Sequence, residues 1–242
     1  MSARVALEDL KGWSRKGRVS DLASFFQTAP GGYGEGDLFL GCSVPETRSV
    51  AKKHQNLGLQ EVEKLFNSPF HEARLCAAII LNFQFKAAKK SQYRKKIFDF
   101  YIKQVRAERV NNWDLVDVSA PWMGVYLTEV EDPMPLLIKF AKSKPLWQRR
   151  VSIILTFALI RDGDLAPTIA ISKLLLKDDQ VLIHKAVGWM LRELGKRDVM
   201  LLRQFLADNS HQMPRTMLRY SIEKLPERER KKWLIESRAP KL

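Results

Sequence analysis

From residue 45 onward nearly every segment of this chain places its apolar residues at helical spacing, and the breaks between segments fall at single prolines or short polar turns. The pattern predicts helices over 5–27, 45–57, 59–67, 70–87, 91–107, 111–130, 133–142, 146–161, 164–177, 180–196, 198–208, 214–225 and 226–236, and it leaves no convincing strand. An all-α fold follows. The one long irregular piece, "APGGYGEGDLFLGCSVP", has glycines and flanking prolines that require an ordered loop instead of a helix.

A weak internal repeat runs through the helices. The openings "PFHEARLCAAII", "PLWQRRVSIILT", "VLIHKAVGWML" and "MPRTMLRYSIE" each put basic residues at the start of an apolar helix, at intervals consistent with a helix-pair repeat of ~40 residues. Stacked pairs of that kind make a HEAT-like solenoid whose concave inner surface is lined by the second helix of each pair. Basic residues at one recurring point would then form a positive stripe along it, with Arg74, Arg149, Arg150, Lys185, Arg192, Arg215 and Arg219 as its candidates. Singly, each also reads as a solvated charge at a helix end. The group gains weight from the balance of 41 basic against 27 acidic residues, a formal charge of +14 that is tolerated most readily when the partner is a polyanion.

Other chemistries find little support. No apolar run reaches the ~20 residues that span a bilayer, and the first residues, "MSARVALEDLKGWSRKGRVS", lack the apolar core of a signal peptide. The expected compartment is the cytoplasm, nucleoid-associated if the source is bacterial. Cys42 and Cys76 sit among apolar neighbours and read as buried, reduced thiols. The four histidines show no metal-ligand spacing, and neither a Walker A loop nor a GxGxxG turn is present, so no metal and no cofactor is expected.

Two tryptophans stand off the expected core. In a helix over 111–130, Leu115, Val118, Trp122, Val125 and Tyr126 fall on one face and Trp113, Asp117, Ala120 and Gly124 on the other, with Pro121 expected to kink the register. Trp113 and Asp117 are therefore i, i+4 neighbours outside the buried stripe, above residues small enough to admit a bulky partner. In "QVLIHKAVGWMLRELGKRD" the stripe is Ile183, Val187, Met190, Leu191 and Leu194, while Lys185, Trp189, Arg192 and Lys196 share the other side. Either indole alone reads as one covered by a neighbouring repeat. The pair, one beside a carboxylate and one among cations, points to a site.

At these residues the chain resembles the DNA alkylation-repair glycosylases of the AlkD type, which are built from HEAT-like repeats. The matching blocks, in the family's order, are "YGEGDLFLGCSVPETR", "NNWDLVDVSAPW", "WQRRVSI", "IHKAVGWMLRELGKRD" and "MPRTMLRYSIEKLP". They extend from about residue 30 to residue 230, which implies a single domain over 1–242. The resemblance implies that Trp113 and Asp117 are the active-site tryptophan and carboxylate, Trp189 the second tryptophan and Arg150 the active-site arginine. It places Arg192 at a position of DNA contact, with Tyr33 and Ser43 in the matching loop. The chain departs from the family at Asn112, where another aromatic is usual, and at Ser43, where a longer polar side chain is common.

The expected activity is monofunctional hydrolysis of the N-glycosidic bond of cationic N3- or N7-alkylated purines in double-stranded DNA, by a protein working as a monomer. No lysine flanks the Trp and Asp pair to form a Schiff base, so strand cleavage is not expected. The competing expectation is a non-catalytic helical-repeat protein that binds DNA or RNA through phosphates. A solenoid scaffold for acidic proteins ranks below both, since it gives Asp117 no work.

Overall fold

The computed structural model describes residues 2–237, and within them all regular structure is helical apart from one parallel bridge between Leu38 and Phe70. The chain forms two compact units, Met1–Tyr126 and Leu127–Leu242.

The first unit holds α1 (Ala3–Lys11), α2 (Lys16–Phe25), α3 (Val44–Lys53), α4 (Leu59–Phe66), α5 (His71–Ala87), α6 (Ser91–Arg106) and α7 (Trp113–Met123), followed by a 3₁₀ turn at Gly124–Glu129. Its centre is α5, buried along most of its length, against which α3, α4, α6 and α7 pack. The helix expected over 5–27 is in fact two. Gly12 ends α1, and the next residues are fastened to the glycine-rich loop: Ser14 Oγ and the Arg15 N–H both donate to the Leu40 carbonyl, at 2.6 and 3.1 Å. Gly41 is needed at that crossing, for its φ is +90° and a Cβ there would lie 2.3 Å from the Arg15 carbonyl oxygen. The loop is ordered as expected. The Glu72 carboxylate accepts from the N–H groups of Leu40, Gly41 and Cys42 and satisfies three consecutive buried donors. Cys42 and Cys76 are both buried free thiols.

The second unit holds α8 (Met134–Ala141), α9 (Leu146–Asp162), α10 (Ala166–Leu174), α11 (Val181–Arg197), α12 (Val199–Asn209), α13 (Arg215–Ser221) and α14 (Glu227–Glu236). Within it α9 packs on α11 and α11 on α13, while α8 packs on α10, so alternate helices stack as a helix-pair repeat requires. The four repeated openings are the starts of α5, α9, α11 and α13. The expected stripe of α11, Ile183, Val187, Met190, Leu191 and Leu194, is wholly buried.

One basic residue at each of three of those openings, and one at the start of α6, has a structural explanation. Helices α5, α6, α9 and α11 begin without a capping side chain. In each, the fourth residue donates instead to the carbonyl six positions back: Arg74 to Ser68 at 2.9 Å, Arg94 to Ala88 at 2.9 Å, Arg149 to Ser143 at 3.2 Å, and His184 to Asp178. A long cationic or imidazole donor thus closes the loop that enters the helix, where a serine or aspartate cap would otherwise stand. The recurrence of base at this point is first a rule about loops.

Candidate functional site

Helix α7 starts at Trp113 because Asn112, extended and buried, turns its side-chain oxygen onto the Trp113 N–H at 2.8 Å. Its core face is Leu115, Val116, Ser119, Ala120 and Met123, not the expected stripe of Leu115, Val118, Trp122, Val125 and Tyr126, of which only Leu115 is buried. Two side-chain anchors set this rotation. Ser119 bonds the hydroxyl of the fully buried Tyr101, and Asn82 on α5 donates to the Val118 carbonyl at 2.8 Å. Ala120 and Gly124 consequently lie in the interior and give no open floor beneath the pair. Trp122 is half-buried with Lys86 Nζ 3.5 Å from its ring centroid, a surface cation–π contact. Trp113 and Asp117 nevertheless keep the expected placement, one turn apart, half-buried, off the core face.

Behind Trp113 stands an aromatic stack that periodicity does not reveal. Phe26 lies nearly parallel to the indole, centroids 5.5 Å apart and planes at 18°. Phe26 also stacks on Phe39 at 5.2 Å and meets the His71 ring at 4.7 Å. Phe25 stands across both Phe26 and Trp113, at 90° and 73°, and is 62% exposed. The Tyr33 hydroxyl donates to the Phe25 main-chain carbonyl at 3.0 Å, fastening the end of α2 to the glycine-rich loop.

His71 is buried at the base of the stack with a carboxylate on each nitrogen: Nε2 is 2.8 Å from Asp114 and Nδ1 3.1 Å from Asp37. Both partners only accept, so both ring nitrogens donate and the ring is an imidazolium. Burial alone would push its pKa down; the facing carboxylates of Asp114 and Asp37 prevail and raise it to about 9. Asp37 is drawn up by burial, but the His71 hydrogen bond and the charge of Arg74 hold it below the usual carboxylate range. Asp114 thus serves structure, as its position a quarter-turn from Trp113 and Asp117 implies.

The remaining site residues distribute as follows. Arg74, expected on a solvent-facing stripe, is buried and paired with Asp37. Ser43 caps α3 in a reciprocal box with Glu46, accepting from the Glu46 N–H while its own hydroxyl donates to that carboxylate at 2.7 Å. Arg149 is spent on Asp178 at 2.6 Å and on the Ser143 and Lys144 carbonyls. Arg150, expected on the basic stripe and as the active-site arginine, is 4% exposed and donates to the Leu182 carbonyl, tying α9 to α11. Arg215 donates to the Leu234 carbonyl at 2.6 Å, and Arg192 pairs with Glu193 and Glu223. Lys185 is half-buried and Arg219 exposed, and neither forms an ion pair among the described residues. Ser43 and Arg192 are held by carboxylates, Arg150 and Arg215 by main-chain carbonyls, and Arg74 and Arg149 by both; a carbonyl carries no residue identity for a sequence to display.

On α11, Trp189 is half-buried beside Phe157, centroids 6.0 Å apart, on the same side as Lys185 and Arg192. Gly188 precedes it at the crossing with α13, where a Cβ would lie 2.4 Å from Tyr220 Cβ and 2.6 Å from the Met217 carbonyl oxygen. Among the described residues no group of three or more His, Cys, Asp or Glu is arranged to hold a metal ion, and no helix is long and apolar enough to cross a membrane.

Residues 6–225 match the family model described as DNA alkylation repair enzyme. No curated protein gives a significant match. Among solved structures, the chain is similar to one described as a predicted DNA alkylation repair enzyme from Enterococcus faecalis, with a TM-score of 0.68 and 15% identity over 88% of this chain and 97% of that one. At that identity the likeness speaks for the fold alone. The family match spans nearly the whole sequence, and the chain belongs to the DNA alkylation repair enzyme family.

Proposed function

We propose that the protein is a monofunctional DNA glycosylase that hydrolyses the N-glycosidic bond of cationic N3- or N7-alkylated purines in duplex DNA. The observation that carries this reading is the first turn of α7, where Trp113 and Asp117 stand one turn apart off the core, the indole backed by a buried aromatic stack. An alkylated purine that already carries positive charge leaves without being protonated, so no general acid is needed. The barrier is the oxocarbenium character that develops at C1′ of the deoxyribose.

One face of Trp113 is occupied by Phe26, so the other receives that cation, an attraction of ~0.5–2 kcal/mol depending on how dry the site is. Asp117, as a carboxylate, stabilises the same charge and orients or deprotonates the attacking water. This resembles glycoside cleavage, with one carboxylate where that chemistry uses two. From the second unit, the reading gives Trp189 and Lys185 on α11 contact with the bound DNA. Arg150 then acts through its tie to Leu182, by fixing the helix that bears them.

The test is release of 7-methylguanine and 3-methyladenine from methylated duplex by the wild type and by Asp117→Asn. Release by the wild type, lowered in the variant by at least ~100-fold, is the expected result. Equal release by both removes Asp117 from the mechanism. No release by the wild type, with duplex still bound, leaves a DNA-binding protein without this chemistry.

A further inference from the structure

The structure assigns His71 a positioning role in the site proposed above: bridging Asp37 and Asp114, its imidazolium fixes the first turn of α7 and with it the indole of Trp113. The assignment rests on the glycosylase reading for its effect on rate, and on geometry alone for its effect on Trp113.

The two carboxylates are not equally free to move. Asp37 is also gripped by Arg74, which is itself anchored to the Ser68 carbonyl, so this side of the bridge is fixed to α5 and the loop before it. Asp114 has one oxygen on His71 and the other on the Leu115 N–H of its own first turn, at 2.8 Å. The ring cannot swing to favour one partner, because Phe26 and Phe39 lie against it at 4.7 and 4.9 Å. Arg74 is the remaining charge of this cluster, and Glu72, next to His71 in α5, is spent on the Leu40–Cys42 N–H groups. A neutral imidazole has one N–H. It can serve one carboxylate, and its second nitrogen then turns a lone pair on the other. Asp114 is the partner able to retreat, and it carries the N-terminus of α7. Trp113, its neighbour, stacks on the same Phe26 that flanks His71. Loss of one proton at the base of the stack therefore reaches the indole by two routes, through the helix start and through Phe26.

The experiment follows the two rings together by NMR. In 15N-labelled protein, both His71 ring nitrogens should be protonated at pH 7, and the Trp113 indole N–H resonance, assigned with Trp113→Phe, should shift on raising the pH with the same midpoint as His71. Asp114→Asn keeps a hydrogen-bonding side chain but removes one charge, and should lower both midpoints together. His71→Gln should abolish the indole titration; if that variant does not fold, the wild type and Asp114→Asn decide alone. Where release of 7-methylguanine is measurable, its kcat should fall with the same alkaline midpoint, with KM little changed, and His71→Gln should lower kcat by up to about 100-fold. An indole resonance that ignores the His71 titration overturns the positioning role even if release is normal. Co-titration in a protein that releases no purine leaves the positioning role standing and sinks the glycosylase reading instead.

Discussion

The indole of Trp113 and the ring of Phe26 are stacked at 5.5 Å with 18° between their planes, so one π face of the tryptophan is already bound inside the protein. An indole sandwiched in the core has neither face open to solvent. Trp113 instead stays half-buried, off the core face of α7 and one turn from Asp117. The stack is what gives the indole a single orientation, since two flat surfaces in contact restrict χ rotation far more than an aliphatic neighbour does.

Phe26→Ala should therefore cost both stability and geometry. The residue is buried and touches Phe25, Phe39, His71 and Trp113, and deletion of a core phenylalanine costs about 3–5 kcal/mol. Urea denaturation should show a lower midpoint with the slope unchanged. Phe25→Ala, at an exposed position, should lower stability by no more than about 1 kcal/mol. Similar losses in both variants would mean that Phe26 is not the ring that organises the stack.

The pH dependence of stability has a definite sign on the alkaline side. His71 has a folded pKa of about 9 against an ordinary value of 6.5. A group raised on folding stabilises fully below its unfolded pKa and loses that contribution as pH rises through the folded one. Stability should be greatest below about pH 6.5 on this account and decline by roughly 3 kcal/mol toward pH 9 and above. On the acid side Asp37, held below its ordinary 3.8, works the other way: its contribution is present above that value and disappears as pH falls through the lowered one. Urea midpoints collected from pH 3 to pH 10 measure both limbs. A flat alkaline limb would show that His71 is not charged in the folded state.

On the proposed function, the basic residues should separate by experiment into loop clamps and DNA contacts. Arg149 holds Asp178 and two carbonyls, so Arg149→Met should destabilise by about 2–4 kcal/mol while leaving the salt dependence of DNA binding unchanged. Lys185→Ala and Arg219→Ala should do the reverse, with stability within about 0.5 kcal/mol of wild type and a log–log salt slope shallower by about one charge for each phosphate left without its cation. A reduced salt slope in Arg149→Met would return that residue to the DNA surface.

How much of this is legible in the sequence differs from helix to helix, for physical reasons. The α11 stripe can be read because its apolar residues recur without interruption and both sides of the helix obey one period. In α7 the placement of Trp113 and Asp117 can be read, but the core face cannot. Trp122 has the spacing of a core residue and is a surface indole under Lys86, while the residues that rotate the helix, Tyr101 and Asn82, lie outside it. The His71 network is hidden by distance along the chain, its partners being 34 and 43 residues away. The clamp arginines stand out by their recurrence, which is real. What sequence cannot supply is the acceptor, a backbone carbonyl.

Gly188 offers a test of close packing immediately beside Trp189. In an exposed helix interior, glycine to alanine gains about 1 kcal/mol from propensity. At position 188 the new methyl would meet the Met217 carbonyl oxygen at 2.6 Å and the Tyr220 Cβ at 2.4 Å, atoms that move only if α13 moves. Overpacking of this kind costs about 1–3 kcal/mol beyond the propensity gain. Gly195, on the same helix, meets mainly the end of the Leu202 side chain, which can rotate away. Gly188→Ala should thus be clearly less stable than wild type and Gly195→Ala close to it, as read by thermal unfolding. In Gly188→Ala the separation of α11 from α13 should also disturb the surroundings of Trp189, visible as a change in its indole N–H resonance that Gly195→Ala does not produce. If the two variants are equally stable, the α11–α13 crossing is looser than the Gly188 contacts require, and the glycine is not what sets the position of Trp189.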